Sequence, residues 1–326
     1  MSSASQTDAI LAVAGTSSRD QKHRYVLTTA AYNEAATIGK TIESIVSQTV
    51  MPQRWVIVSD GSSDGTDEII QSYAKKHDFI RYLRITREPG RSFGRKVLAV
   101  RSGTELLNDI PFAYIGNVDA DVSLEPFYFQ YLLAHFNRRP RLGIAGGFFF
   151  ENYGGEFESR RGNRVYSVTH AAQLVRRECY EAIGGYAVLE YGGEDWHAEI
   201  NARMRGWEIE AFPALKIFHH RHTGEGDNLL RYRLRQGRMD YAFGSDPLFE
   251  LLKCSERLAD RPFLTGGVAR FAGFLWSWIS REQRPVSPEF VAYLRKEQRH
   301  KVVLLLKGSR RPSPTESSAV HDKNFC

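Results

Sequence analysis

At 326 residues with 42% hydrophobic side chains, the chain is long enough to build one large domain or two small ones around a sizeable core. Its 44 Lys and Arg against 38 Asp and Glu leave it mildly basic, yet residues 251–326 hold 14 basic and 7 acidic residues, so the whole excess lies in the last quarter. That placement argues against a general nucleic-acid footprint and suggests an anionic partner near the C-terminal end, such as a membrane surface or a phosphorylated ligand.

Residues 1–23 read as a disordered tail: they carry no basic leader and only a short apolar run. From residue 24 short apolar runs alternate with amphipathic segments, the rhythm of βαβ units and a largely parallel sheet flanked by helices. "RYVLTTAAY" predicts a first strand and "AATIGKTIESIVSQT" a helix with Ile38, Ile42, Ile45 and Val46 on one face. "RWVIVSD" predicts a second strand, followed by the turn-rich "GSSDGT" and the helix "DEIIQSYAKKH". "IRYLRIT" is a third strand, "GRKVLAVRSGTELL" a helix, and "FAYIGNVDAD" a fourth strand. Three polar clusters, "YNE", "DGSSDG" and "DAD", fall at strand ends, where open α/β sheets collect their ligands.

The second half is less regular. "LGIAGGFFFENYG" predicts a strand and "ESRRGNRVYSV" an antiparallel partner that extends the sheet. "HAAQLVRRECYEAIGG" predicts a helix stopped by Gly184 and Gly185, and "GEDWHAEINARMRGW" a helix with acids in its first turn. "EIEAFP" and "LKIFHHRHTG" predict two more strands. The pattern divides into a tail at 1–23, a domain at 24–226 (halves 24–122 and 123–226), a basic helical extension at 227–307, and a disordered tail at 308–326. Cys179, Cys254 and Cys326 lie far apart with no paired spacing, which argues against zinc or a disulfide framework and fits a reducing cytoplasm. No window approaches the roughly 20 apolar residues of a spanning helix, so the chain is not expected to be integral to a membrane.

"NVDADV" puts Asp119 and Asp121 on one side of a departing strand. Two ionised carboxylates there repel, and a divalent cation favours both charged forms. Oxygen sites with few protein ligands suit Mg2+ or Mn2+, which complete their shells with water and a substrate's phosphates. The other reading is a solvated turn capped by its own aspartates. Asp60, ending the strand in "VSDGSSDGT", suits the N–H edge of a nucleobase or an Asx-turn before the helix. Tyr32 and Glu34 in "AAYNEAATI" suit stacking on a base and accepting from base or ribose, or an ordinary helix start. Arg91, Arg95 and Lys96 in "GRSFGRK" suit phosphate oxygens at a helix N-terminus, or a solvated basic turn.

In order and separation, "TTAAYNEAATIGKTIESIVSQT", "VSDGSSDGT", "NVDADV" and "GGEDWHAEINARMRGWEIEAFP" resemble family 2 glycosyltransferases of the GT-A, Rossmann-like fold, over roughly residues 24–225. The likeness is closest to soluble bacterial members linked to exopolysaccharide or other cell-surface glycans, and "RLRQGRMDYAFGSDPLFELLKC" also resembles that subgroup. The resemblance implies a metal-dependent, inverting hexosyltransferase that moves a sugar from a nucleotide-diphosphate sugar to a glycan or lipid-linked acceptor. It implies that Asp60 reads the base, Asp119 contacts the ribose or the metal shell, and Asp121 binds a divalent metal, Mn2+ or Mg2+. Asp195 matches the general base of inverting members, with Glu194 orienting the acceptor; first-turn acids complementing a helix dipole are the alternative for both. A late histidine completing the metal shell fits His219, or His220 on the opposite face, while a polar lid made of these with Arg221 and His222 is the other reading.

In "GGVARFAGFLWSWISR", Val268, Phe271, Phe274, Leu275 and Trp278 form one helical stripe with Trp276 beside it and arginines at both ends. A peripheral contact of residues 265–284 with the inner face of the plasma membrane suits this pattern, as does packing against the domain or a second copy. Two rival functions share the scaffold: a sugar-1-phosphate nucleotidyltransferase, whose glycine-rich triphosphate loop is not found after the first strand, and a non-catalytic nucleotide-sugar-binding protein, which has no use for the acid of "GED".

Overall fold

A computed structural model describes residues 24–86, 94–160, 162–221, 229–256 and 265–306, the side chains of 305 and 306 excepted. The expectations for both tails, for Arg91, His222 and Cys326 lie outside these residues. The chain divides into two compact units, Met1–Thr223 and Gly224–Cys326.

In the first unit β1 (Tyr25–Ala31), β2 (Arg54–Asp60), β3 (Ile80–Ile85) and β4 (Tyr114–Val118) are parallel neighbours in the order β3-β2-β1-β4. The crossovers α1 (Ile38–Val46), α2 (Thr66–Ala74) and α3 (Gly94–Glu105) lie where the apolar periodicity placed them. Ile38, Ile42 and Ile45 of α1 are fully buried in the same cluster as Leu27, Trp55 and Ile57 of β1 and β2. Because β1 sends its connections to β2 on one side and pairs β4 on the other, the strand order reverses beside it, which opens a crevice at the carboxyl ends of β1 and β4.

Beyond β4 the sheet becomes mixed. β5 (Val122–Leu124), α4 (Tyr128–Arg138), β6 (Leu142–Tyr153), β7 (Glu156–Ser159), β8 (Ala172–Arg176), α5 (Arg177–Ala182), α6 (Glu194–Met204) and β9 (Glu208–His219) complete the unit. Among the described residues the sheet runs β3-β2-β1-β4-β8-β6-β9-β5, with β7 on the edge of β6. Three sequence readings change here. The segment read as one helix from His170 to Gly185 is half strand: β8 fills the gap between β4 and β6, antiparallel to both. Its Ala, Gln and Leu favour helix locally, but pairing on both sides overrides propensity. Gly116 and Gly146 admit this close approach, since a Cβ at either would stand 2.9 Å from the carbonyl oxygen of Gln173 or Ala172. The partner read at "ESRRGNRVYSV" pairs earlier, at Glu156–Ser159, and "EIEAFP" with "LKIFHH" makes one bulged strand rather than two. Helix α4 was not anticipated, although Tyr128, Phe129, Leu132, Leu133 and Phe136 recur at helical spacing and all are buried.

The second unit is helical: α7 (Leu229–Ala242), α8 (Pro247–Glu256), α9 (Thr265–Ile279) and α10 (Pro288–Leu306). Helices α7 and α9 pack through glycines, since a Cβ at Gly237 would collide with the Arg270 carbonyl and one at Gly273 with that of Leu234. This contact rotates α9 relative to the stripe read from its sequence. Phe274 is buried with Gly266, Gly273 and Ser277, whereas Val268, Leu275, Trp276, Trp278 and Ile279 face outward.

Candidate active site

The loops after β1 and β2 are laced together by short polar side chains. Asn33, at φ 54°, takes a left-handed conformation that asparagine tolerates. Its Oδ1 accepts from the Ser63 N–H at 2.9 Å, and its own N–H donates to Ser62 Oγ at 3.1 Å. Asp64 accepts from the Thr66 hydroxyl at 2.6 Å and from the Ala35 N–H at 3.0 Å, while the Glu34 N–H donates to Thr66 Oγ1 at 2.7 Å. Asp64 thus serves the turn, which leaves Asp60 at the tip of β2 facing the crevice.

A cleft of about 400 Å3 opens there, with walls supplied by Tyr32 and Glu34 after β1, Asp60 from β2, Arg95 and Lys96 from α3, Asp119 and Asp121 after β4, and Gly192, Glu194 and Arg221 from later segments. Nine of the residues singled out from sequence therefore meet in one place: Tyr32, Glu34, Asp60, Arg95, Lys96, Asp119, Asp121, Glu194 and Arg221. His219 stands directly behind Asp121, whereas Asp195 is set one residue past the cleft wall, its Oδ1 accepting from the Trp196 N–H at 2.7 Å.

The two central carboxylates have different surroundings. Asp119 holds Lys96 Nζ between its oxygens at 2.7 and 2.9 Å and accepts from Asn117 Nδ2 at 3.1 Å. Burial and the charge of Asp121 still outweigh these partners and push its carboxyl above the ordinary range. Burial also raises Asp121, but the His219 hydrogen bond and the charges of His219, Arg221 and Lys96 prevail and hold it below the ordinary range. Burial alone would depress Lys96; Asp119 and Glu194 instead keep it firmly charged. Glu34 is pushed up to about 7 by burial and then by Asp121, against the opposing pull of Arg221 and Thr37. Glu194 is likewise raised, by burial first and by neighbouring Asp195, with Lys96 opposing.

His219 Nε2 lies 3.0 Å from Asp121 Oδ2, and His220 turns away to Ser123 Oγ at 3.0 Å. Donor atoms 3.0 Å apart match one edge of an octahedral shell with bonds of about 2.1 Å, whose edge is about 3.0 Å. Among the described residues no three His, Cys, Asp or Glu side chains converge as a closed metal cage. The donor set thus fits a hard or borderline divalent cation that takes its remaining ligands from water and phosphate. Arg221 adds a cation at the rim through its ion pair with Glu34.

Three residues around the site, Asn117, His170 and Glu199, were not read from the sequence. Asn117 Nδ2 donates to the His170 carbonyl at 2.7 Å while positioning Asp119, and the buried His170 ring packs edge-on to Tyr186. Burial first, and Lys96 second, hold this imidazole well below its ordinary range. On α6 itself, Glu199 accepts from the Val168 N–H at 2.5 Å and is pushed up to about 8, first by burial.

An acid with a raised folded pKa keeps its proton in the fold after the unfolded chain, at about 4.5, has lost it. Stability is therefore expected to fall as pH rises from about 4.5 to about 8 and then to level. Glu199→Gln keeps the acceptor and removes this titration. Urea unfolding should show the variant close to wild type at pH 4 and more stable by on the order of a few kcal/mol at pH 9; parallel pH profiles would show that Glu199 is not the source.

Comparison with known proteins decides the family, because the profile described as Glycosyl transferase family 2 matches residues 27–190, half of the chain. The chain belongs to glycosyl transferase family 2. A poly-beta-1,6-N-acetyl-D-glucosamine synthase of Staphylococcus epidermidis is 30% identical over 118 residues, and that of Staphylococcus aureus 28% over the same length. These matches cover 36% of this chain and 26% of each relative, so the chain matches only about a quarter of their length. Among solved structures, the mannosyltransferase PcManGT from Pyrobaculum calidifontis, in complex with GDP-Man and Mn2+, aligns at TM-score 0.50 and 15% identity over 86% of this chain and 80% of its own. GalNAc-T7 with UDP, GalNAc and Mn2+ aligns at TM-score 0.54 and 13% identity, over 86% of this chain and 57% of its own. These neighbours share the GT-A fold, an α/β sheet flanked by helices. The matched family 2 region contains Asp60 and the Asp119/Asp121 pair and ends four residues before Glu194.

Proposed function

We propose that this glycosyltransferase moves a hexosyl group from a nucleoside-diphosphate sugar to a hydroxyl of a glycan or lipid-linked acceptor, with inversion at the anomeric carbon. The observation that carries this reading is the meeting of Asp60, Asp119 and Asp121 with Arg95, Lys96 and Arg221 in one cleft at the strand ends. The acids suit the N–H and O–H groups of a nucleoside, and the cations suit a diphosphate. The relatives' synthesis of poly-beta-1,6-N-acetyl-D-glucosamine supports a role in cell-surface polysaccharide assembly. The nucleotides and Mn2+ held by the fold neighbours support a nucleotide-sugar donor used with a divalent cation.

In this scheme Tyr32 and Asp60 receive the base, Glu34 or Asp119 the ribose, and Arg95 and Lys96 the diphosphate. Asp121 and His219 would hold the divalent cation, which supplies neutralising charge to the leaving diphosphate when bound. Asp195 takes the proton of the acceptor hydroxyl as its oxygen bonds to the anomeric carbon and the bond to the diphosphate breaks; Glu194 orients the acceptor.

The test is product analysis with a panel of nucleotide sugars and Mn2+. Release of nucleoside diphosphate matched by glycosylated acceptor is expected, and Asp195→Asn should lower that rate about a hundredfold with nucleotide affinity retained. Pyrophosphate as product would overturn the reaction class, and full activity in the variant would overturn the role of Asp195.

A further inference from the structure

The second unit is built with its polarity reversed. Arg270 is the one charged residue of α9, and it points inward, its guanidinium 2.6 Å from Asp240 of α7 and 3.3 Å from Glu250 of α8. Lys253 joins them at 2.7 Å from Asp240. The Asp240 and Glu250 side chains are fully buried and that of Arg270 is 5% exposed. The opposite sides of the same helices are apolar and open. On α9, Val268, Leu275, Trp276 and Ile279 recur at helical spacing with Trp278 alongside; Trp276 is 64% exposed and Ile279 73%. On α8, Leu248, Leu251 and Leu252 do the same, with Leu248 60% exposed. A helix that packs in water hides its leucines and shows its charges; α8 and α9 do the reverse.

We propose that the outward sides of α8 and α9 insert into the interfacial layer of an anionic lipid bilayer, anchoring this unit as a monotopic element. Among the described residues no helix is long and apolar enough to cross a membrane, which fits helices lying in the interface rather than spanning it. Trp276 and Trp278 suit the headgroup boundary, where an apolar ring with one polar N–H is most at home. Exposed Arg281 follows the end of α9, and residues 251–326 carry, besides the inward Arg270 and Lys253, twelve basic residues against seven acidic ones, a balance that complements anionic headgroups. The same surplus opposes a second copy as the occupant, because an isologous contact would bring two net-basic segments together.

Flotation of the full chain on vesicles of equal parts phosphatidylcholine and phosphatidylglycerol tests this. Wild type is expected to float with the vesicles, less so on phosphatidylcholine alone. Leu251→Ser/Trp276→Ser/Ile279→Ser, at exposed positions and with an unchanged circular dichroism spectrum, should partition at least about tenfold more weakly. Brominated lipids should quench part of the wild-type tryptophan emission, and Trp276→Phe/Trp278→Phe should remove that quenchable part while still floating. Failure of wild type to float, or equal partition of the triple variant, would overturn the proposal. A dimer that the triple variant dissolves, without vesicle binding by wild type, would also overturn it and assign the surface to a second copy.

Discussion

Asp121→Asn is expected to slow sugar transfer about a hundred- to thousandfold, the usual cost of removing one charge aimed at the reacting group, while leaving the fold intact. The substitution keeps an oxygen for His219 Nε2 at 3.0 Å but deletes the negative charge that the site holds ionised. It turns one of the two donors that fit an octahedral edge into a neutral, weaker one, so the concentration of Mn2+ needed for half-maximal activity should rise as kcat falls. A second consequence is electrostatic: Asp121 helps to push Glu34 up to about 7, so the Glu34 titration should move down in the variant. Asp119→Asn should behave differently, because Asp119 is the carboxylate that clasps Lys96. Its loss frees that ammonium and should raise KM for the donor as well as lower kcat. The pair is checked by steady-state kinetics across a Mn2+ titration, with the Glu34 carboxyl followed by NMR. A kcat for Asp121→Asn close to wild type at every Mn2+ concentration would remove the charge from the mechanism.

How much of this was legible depends on whether the signal is local. Strands β1 to β4 and helices α1 to α3 were readable because each apolar run ends in its own turn residues, and the polar clusters at those ends identify the crevice. The laced loops explain why Asn33, Gly61 and Gly65 accompany the acids: three left-handed backbone positions let two strand ends face one cleft. His219 and His220 were separable by strand alternation alone, and they do face different partners. What escaped was non-local. Nothing within "HAAQLVRR" reveals that Ala172–Arg176 will be paired on both sides, and the decision lies in Gly116 and Gly146 far along the chain. His170 and Asn117 read as unremarkable polar residues until the fold buries them behind Asp119. The orientation of α9 depends on Gly237 in another helix, so the stripe counted from hydrophobicity alone is split, with Phe274 inward and Val268, Leu275 and Trp278 outward.

Arg270→Met is expected to destabilise the helical unit by about 3–5 kcal/mol, because it leaves two buried carboxylates with one cation between them. Asp240 is kept below the ordinary carboxylate range, against its burial, by Lys253 and Arg270 together. Glu250 is already raised by burial and by Asp240, with Lys253 and Arg270 as its opposing charges. Removing Arg270 therefore leaves the network short of charge, with Lys253, at 20% side-chain exposure, the one cation left to serve both Asp240 at 2.7 Å and Glu250 at 3.4 Å. Chemical denaturation followed by circular dichroism should show the loss. Replacing the set together, as Arg270→Met/Asp240→Leu/Glu250→Leu, should recover most of it, since apolar groups of similar volume dispense with the desolvation penalty. If Arg270→Met alone costs less than about 1 kcal/mol, the charges are solvated and the reversed polarity of α8 and α9 is not fixed by this network. The same comparison bears on membrane docking. The buried network reinforces the outward turn of leucines and tryptophans that the Gly237 and Gly273 contacts set, and the apolar triple variant loses that reinforcement. It should therefore float less well than wild type despite its more apolar sequence.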